Sequence, residues 1–168
     1  MNAQAAIIIM HIRRFRSEDA NALRQVFYSA VHGIASADYS PEQIEAWAPS
    51  SADAALWRQH MERLDPFVAV GESEIVGYAD IQRSGYIDHF FVSGHHPRRG
   101  IGTLLMRTLH DEALRLGIGE LTSNVSRTAQ PFFARFGFEV VQYQSNAIRG
   151  VVVPNALMRK ALAAPAEA

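Results

Sequence analysis

Residues Phe67 to Val92, FVAVGESEIVGYADIQRSGYIDHFFV, restrict the fold more than any other segment. Three short runs rich in Val, Ile, Phe and Tyr are separated by turn signals at Gly71-Glu72-Ser73-Glu74 and Ser84-Gly85. Such joints leave no room for a crossover helix, so the strands read as an antiparallel meander. On either side the pattern is mainly helical. Ile7 to Phe15 reads as a strand, after which Ser17, with Glu18 and Asp19, opens a helix whose stripe is Leu23, Val26, Phe27, Ala30 and Val31. Ser40-Pro41-Glu42 starts a second helix that runs to Trp47 before Pro49 stops it, and Asp53 to Arg63 reads as a third. Past the meander, Ile101, Leu105, Leu109 and Ala113 recur every four residues, with Gly117 placed to end that helix. Glu120 to Val125 is a fifth strand. Thr128 caps a short helix through Phe136, with Pro131 in its first turn and Gly137 after it. Phe138 to Gln144 and Ile148 to Lys160 close the chain as two last strands. Strands first antiparallel, then joined through helices, predict a mixed α+β sheet of about seven strands with helices on both faces.

No Pro-, Gly- or Ser-rich linker and no repeat divides this pattern, so residues 1–168 read as one domain, large enough to bury a core without metals or disulfides. Met10 offers an alternative start, which makes residues 1–9 a candidate extension. The apolar run Ala5 to Met10 has no basic segment before it and is too short for a signal core or a membrane span. Cysteine is absent, which excludes a thiolate metal site and a cysteine nucleophile and fits a reducing, cytoplasmic setting. Sixteen Lys and Arg against seventeen Asp and Glu leave a formal charge of -1, so any anion site is local.

One such local site is SGHHPRRGIGTLLMR, Ser93 to Arg107. A helix N-terminus leaves N–H groups unpaired and carries partial positive charge. Gly100 and Gly102 remove side chains that would hold an anion off, and Arg98 and Arg99 add charge. The plainer alternative is a glycine-softened helix start with solvated arginines, and the loop taken alone does not choose between them. A P-loop would need Gly-Lys-Ser/Thr where the chain has GIGTLL, and a dinucleotide fingerprint would need a glycine at Leu105. His95 and His96 have no carboxylate or third histidine at ligand spacing, so no metal site is expected.

Val92, then Pro97-Arg98-Arg99-Gly100-Ile101-Gly102 and Thr103-Leu104-Leu105, together with AQPFFARFGF from Ala129 to Phe138, resemble the two signatures of the GNAT superfamily of acyl-CoA-dependent N-acyltransferases. The signatures stand one helix and one strand apart, as that family has them, and jointly are far more specific than either alone. The likeness covers essentially the whole chain. It reaches a bacterial branch with Tyr-Ser-Pro-Glu-Gln (Tyr39 to Gln43), Ala-Trp-Ala-Pro (Ala46 to Pro49) and Thr-Ala-x-Pro-Phe-Phe (Thr128 to Phe133). The resemblance implies a splayed, mostly antiparallel sheet gripping acetyl-CoA as acyl donor. It implies a pyrophosphate seat at Arg98, Arg99, Gly100, Ile101, Gly102 and Thr103, a pantetheine-binding strand at Phe90, Phe91 and Val92, and flanks to the thioester from Asn124, Phe132 and Phe133. Pro97 stands where the family usually has Gln or Arg and removes one N–H, with Arg98 as the replacement donor. Phe133 stands where a Tyr often protonates the departing thiolate. With a thiol reference pKa of about 8.5 that anion is a tolerable leaving group, and water, Tyr39 or Tyr143 is the substitute acid.

Acyl transfer needs a neutral amine, hence a base acting directly or through water. Asp88, on the strand that borders the thioester in this likeness, is the first choice. Strict alternation groups Asp88 with Tyr86, Phe90 and Val92 and puts His89 on the other face, so the two cannot serve one site. The competing roles are a structural acceptor for Asp88 and a packed histidine for His89. His32, Tyr39 and Trp47 come from the helical region that shapes the acceptor pocket in the family, with core packing as their alternative, above all for Trp47. These features predict an acetyl-CoA-dependent N-acetyltransferase, monomer or homodimer, acting on a primary amine of a small molecule or protein by direct attack on the thioester. A non-catalytic acyl-CoA sensor is the alternative that Phe133 keeps open. Nucleic-acid binding through Arg13, Arg14, Arg16, Arg98 and Arg99 is opposed by the near-zero net charge, and no membrane association is expected.

Overall fold

Among the described residues, eight strands form two four-stranded sheets, where the sequence predicts about seven strands. The structure, a computed structural model, describes residues 9–96 and 99–163, so Pro97 and Arg98 lie outside the described residues. β1 (His11–Arg14), β2 (Phe67–Val70), β3 (Ile75–Ala79) and β5 (Phe90–Val92) form the first sheet in that order, each pair antiparallel as the short turns require. In the second, the order is β4 (Tyr86–Ile87), β6 (Glu120–Ser126), β8 (Val151–Ala161) and β7 (Glu139–Ile148), with β4 parallel to β6 and the other pairs antiparallel. The surplus strand exists because the third strand of the meander is broken at Asp88-His89. Its first half pairs with β6 and its second half with β3.

Asp80, wholly buried at the end of β3, explains the break. Its Oδ1 accepts the N–H of Asp88 at 3.0 Å and of His89 at 2.6 Å. Two successive amides turned to one acceptor cannot alternate, so the pleat slips by one residue. Ile87 and Phe90 both face the core beneath α4 (Ile101–Leu116), while Asp88 and His89 both approach α3 (Ala54–Leu64). The expected grouping of Asp88 with Phe90 and Val92 is thereby corrected.

The helices cover both faces as predicted. On one, Leu23, Val26 and Phe27 of α1 (Ala20–Ser29), Ile44 of α2 (Pro41–Trp47) and Met61 of α3 pack on Val68 and Tyr78. On the other, Ile101, Leu105, Leu109 and Ala113 of α4 and Phe133 of α5 (Gln130–Arg135) pack on Ile87, Leu121, Val125 and Ala156. Leu105 and Leu109 are 0% exposed, a burial that contributes about 2–3 kcal/mol each.

The caps follow the sequence at two helices and depart at two. Ser40 accepts the N–H of Gln43, whose side chain accepts the N–H of Ser40, and Asp53 accepts from Ala55 and Leu56. Thr128 does not cap α5: its hydroxyl donates to Asp38 at 2.7 Å, because a carboxylate outcompetes a neutral partner. Ser17 begins a 3₁₀ turn, Ser17–Asp19, and Asp19 is held by Arg13 at 2.7 and 2.9 Å. The helical path then continues beyond Ser29 as a π turn, Ala30–Ile34. β7 runs through the polar residues expected to end it, because the hairpin turns on Arg149 (φ 48) and Gly150 (φ 78), a two-residue turn suited to twisted strands.

Candidate active site

Where β5 leaves β6, the two sheets part around a cavity of about 280 Å³. Phe90, Phe91 and Val92 line it from β5, Gly102 from α4, and Phe132 and Phe133 from α5. Ser126 contributes from the end of β6, Thr128 and Ala129 from the turn after it, and Ala30, Val31, Ile34, Ala35 and Trp47 from the α1–α2 side. The opening therefore has walls from both faces of the sheet.

Hydrogen bonding directs part of the backbone into this space. The His89 carbonyl accepts from the N–H of Asp80 at 3.1 Å, Ser93 donates to the Val76 carbonyl at 2.8 Å, and Phe91 stands opposite Tyr78. Residues 89, 91 and 93 thus turn to β3. With period two, the N–H and C=O groups of Phe90 and Val92 face the cavity as a strand edge unpaired among the described residues.

At α4 the first intrahelical bond runs from the N–H of Leu104 to the Gly100 carbonyl, so the N–H groups of Ile101, Gly102 and Thr103 lack helical partners. Gly100 has φ +76, in the left-handed region, and is exposed with Arg99. A Cβ on Gly102 would lie 3.1 Å from the Phe132 ring, so only glycine lets that ring reach the helix without displacement. The Ile101 side chain is buried in the core, which leaves its backbone alone at the site.

Among the described residues, none of the lining side chains is titratable; the hydroxyl-bearing ones are Ser126 and Thr128. Phe133 is 2% exposed and meets Phe90 and Phe138 edge-on. Tyr39 stands behind Trp47, its hydroxyl donating to the Pro154 carbonyl at 2.5 Å and accepting the N–H of Arg127 at 2.9 Å. Burial pushes its phenol up. His32 stacks on Tyr28 at 3.8 Å with Nε2 2.7 Å from the Ala48 carbonyl. Asn124 is exposed and lies outside the cavity lining, bonded to the Tyr86 hydroxyl and to Gln144. Tyr143, 75% exposed on β7, pairs opposite Ala156 and is not part of the lining.

Asp88 lines a different depression, of about 560 Å³, with Arg14, His60, Arg63 and Arg83. Burial pushes its carboxyl up from the ordinary value, against the pull of His60. His89 is enclosed by Phe27, Trp57 and Phe91, and burial holds its imidazole down at about 3. Among the sequence candidates, the structure gathers Trp47, Phe90, Phe91, Val92, Gly102, Phe132 and Phe133 around one space and leaves Asp88, Asn124 and Tyr143 outside it. Arg98 lies outside the described residues. Sequence reasoning missed the wall from Ala30 to Ala35, since a 3.6-residue period does not reveal a π turn.

A family model described as an acetyltransferase (GNAT) domain matches residues 35–158. The chain is 35% identical over 150 residues to the uncharacterized N-acetyltransferase YafP of Escherichia coli K12, covering 89% of this chain and 95% of that protein. Among solved structures it is similar to a GCN5-related N-acetyltransferase from Rhodopseudomonas palustris, with TM-score 0.86 and 30% identity over 90% of this chain and 95% of that one. It also shares the fold of the PaiA N-acetyltransferase from Thermoplasma acidophilum in complex with coenzyme A, with TM-score 0.72 and 19% identity over 92% of this chain and 99% of that one.

Proposed function

The chain belongs to the GNAT acetyltransferase family, and from that premise we propose that it moves the acetyl group of acetyl-CoA to a primary amine by direct attack on the thioester. The observation that carries this reading is the unpaired edge of Phe90 and Val92, which faces the same cavity as Gly102 at the start of α4. Pantetheine is a chain bearing two amides, and a free strand edge offers both donors and acceptors to it. The unpaired N–H groups of Ile101, Gly102 and Thr103, with Arg99 nearby, suit the pyrophosphate at the positive end of the helix.

The apolar lining does the work that a titratable base does elsewhere. An amine entering between Ala35 and Trp47 loses water, and desolvation lowers its pKa toward the neutral nucleophile. The proton leaves through water held at Ser126 and Thr128. The nitrogen lone pair forms the bond to the thioester carbonyl carbon, a β5 N–H steadies the oxyanion, and the C–S bond breaks. The thiolate then takes a proton from water. Asp88 and Tyr143 have no part in this version, since neither lines the cavity.

The experiment is acetyl-CoA calorimetry combined with a thiol-release assay over a panel of amines. Saturable binding with amine-dependent release supports the proposal. Binding without release from any amine would favour a sensor, and absence of binding would refute both.

A further inference from the structure

Beyond the acyl cavity, the strand break does what a regular strand cannot: it turns two consecutive side chains to one side. Asp88 and His89 both approach His60 of α3. His60 Nε2 lies 3.3 Å from His89 Nε2 and 3.9 Å from Asp88 Oδ2, and one ligand atom from each of the three lies within 4.8 Å of the others. Two imidazole nitrogens on one tetrahedral zinc, at about 2.0–2.1 Å each, stand about 3.3–3.4 Å apart.

The surroundings prepare these groups as ligands. His89 Nδ1 is 3.0 Å from the hydroxyl of Tyr78, which is 0% exposed. With Nδ1–H donating to that oxygen, the Nε2 lone pair faces His60, the tautomer a metal requires. The Asp88 carboxylate accepts no hydrogen bond among the described residues and is 32% exposed, so it is free to turn onto an ion.

We propose that His60, Asp88 and His89 form a site for one divalent transition-metal ion of the zinc type, with a further coordination position open to the depression that holds Arg63 and Arg83. Two imidazoles and one carboxylate, without thiolate, select zinc, cobalt or nickel over magnesium or calcium. The ion ties α3 to the strand break. It also sits one ring from the acyl cavity, since Phe91 lines that cavity and meets His89 at 5.4 Å between centroids.

Chelator-stripped full-length protein, titrated with zinc by calorimetry and with cobalt by visible absorption, tests this directly. The expected result is one equivalent of zinc and the strong visible bands of four-coordinate cobalt. His60→Gln and Asp88→Asn should each weaken binding at least about tenfold, and Tyr78→Phe about tenfold through the tautomer. His96→Gln, which removes the histidine paired with Glu74 at 2.9 Å, should leave binding unchanged. His60 is 35% exposed, so its variant tests the ligand rather than folding, which circular dichroism checks; Asp88→Asn is the second arm. Absence of a cobalt spectrum, as a proton merely shared between the two imidazoles would give, overturns the proposal. So does binding that survives both ligand substitutions or disappears with His96.

Discussion

Tyr39→Phe removes one oxygen and tests how the acceptor side of the cavity is held. The hydroxyl joins three segments: it precedes α2, donates to Pro154 in β8 and accepts from Arg127 between Ser126 and Thr128. The ring, edge-on to Trp47, stays. The variant leaves one carbonyl and one N–H without partners beside a residue only 6% exposed. A buried polar group left unpaired costs about 1–3 kcal/mol. Arg127 is at the surface, so water relieves its amide, and the carbonyl that remains sets the expected loss at about 1–3 kcal/mol. For a chain of this size that lowers Tm by about 2–10 °C. Urea unfolding should show a lower midpoint at unchanged m. In the transfer assay, the acceptor KM should rise while acetyl-CoA affinity stays within about twofold, because β5 and α4 are untouched. A loss below about 0.5 kcal/mol with normal acceptor KM would refute the reasoning, showing that the hydroxyl anchors nothing water cannot replace.

Three other outcomes are expected. Burial pushes the Asp80 carboxyl up to about 6, so the stability it contributes is full below the ordinary carboxylate value and is lost as pH rises through about 6. In chelator-treated protein, urea unfolding from about pH 4 to about pH 8 should therefore shift in favour of Asp80→Asn relative to the parent, and parallel profiles would contradict this. Asp19 is the opposite case: the bonds from Arg13 hold it below the usual range, so its contribution is present above the ordinary value and is lost as pH falls through the lowered one. Asp19→Asn should be less stable at neutral pH, with the gap closing in acid. Gly102→Leu fills the cavity against Phe132 and should cut acetyl-CoA affinity more than about tenfold by calorimetry while the protein still unfolds cooperatively.

What could be read from the sequence was local. The helix start at Ser40-Pro41-Glu42, the helix from Asp53 and the stripe from Ile101 to Ala113 depend on residues within a few positions of one another, and all appear in the structure. Gly102, Phe132 and Phe133 were legible as a pair of spaced signatures, and they meet at one wall. The break at Asp88-His89 was not legible, because it depends on where Asp80 aims its carboxylate eight residues earlier. That miss propagated: the alternation rule separated Asp88 from His89 and concealed their meeting with His60. Thr128 was misjudged for a similar reason, since its partner Asp38 is ninety residues away.

The slip in the pleat also says what kind of genetic change this protein can bear. The break rests on two backbone amides, those of residues 88 and 89 held by Asp80, rather than on the side chains those residues carry. Exchanging the side chain of Asp88 or His89 leaves both amides in place. Losing one codon there would restore a regular strand, let it bond to β3 and β6 along its whole length, and seal the cavity while the hydrophobic cores on both faces could still form.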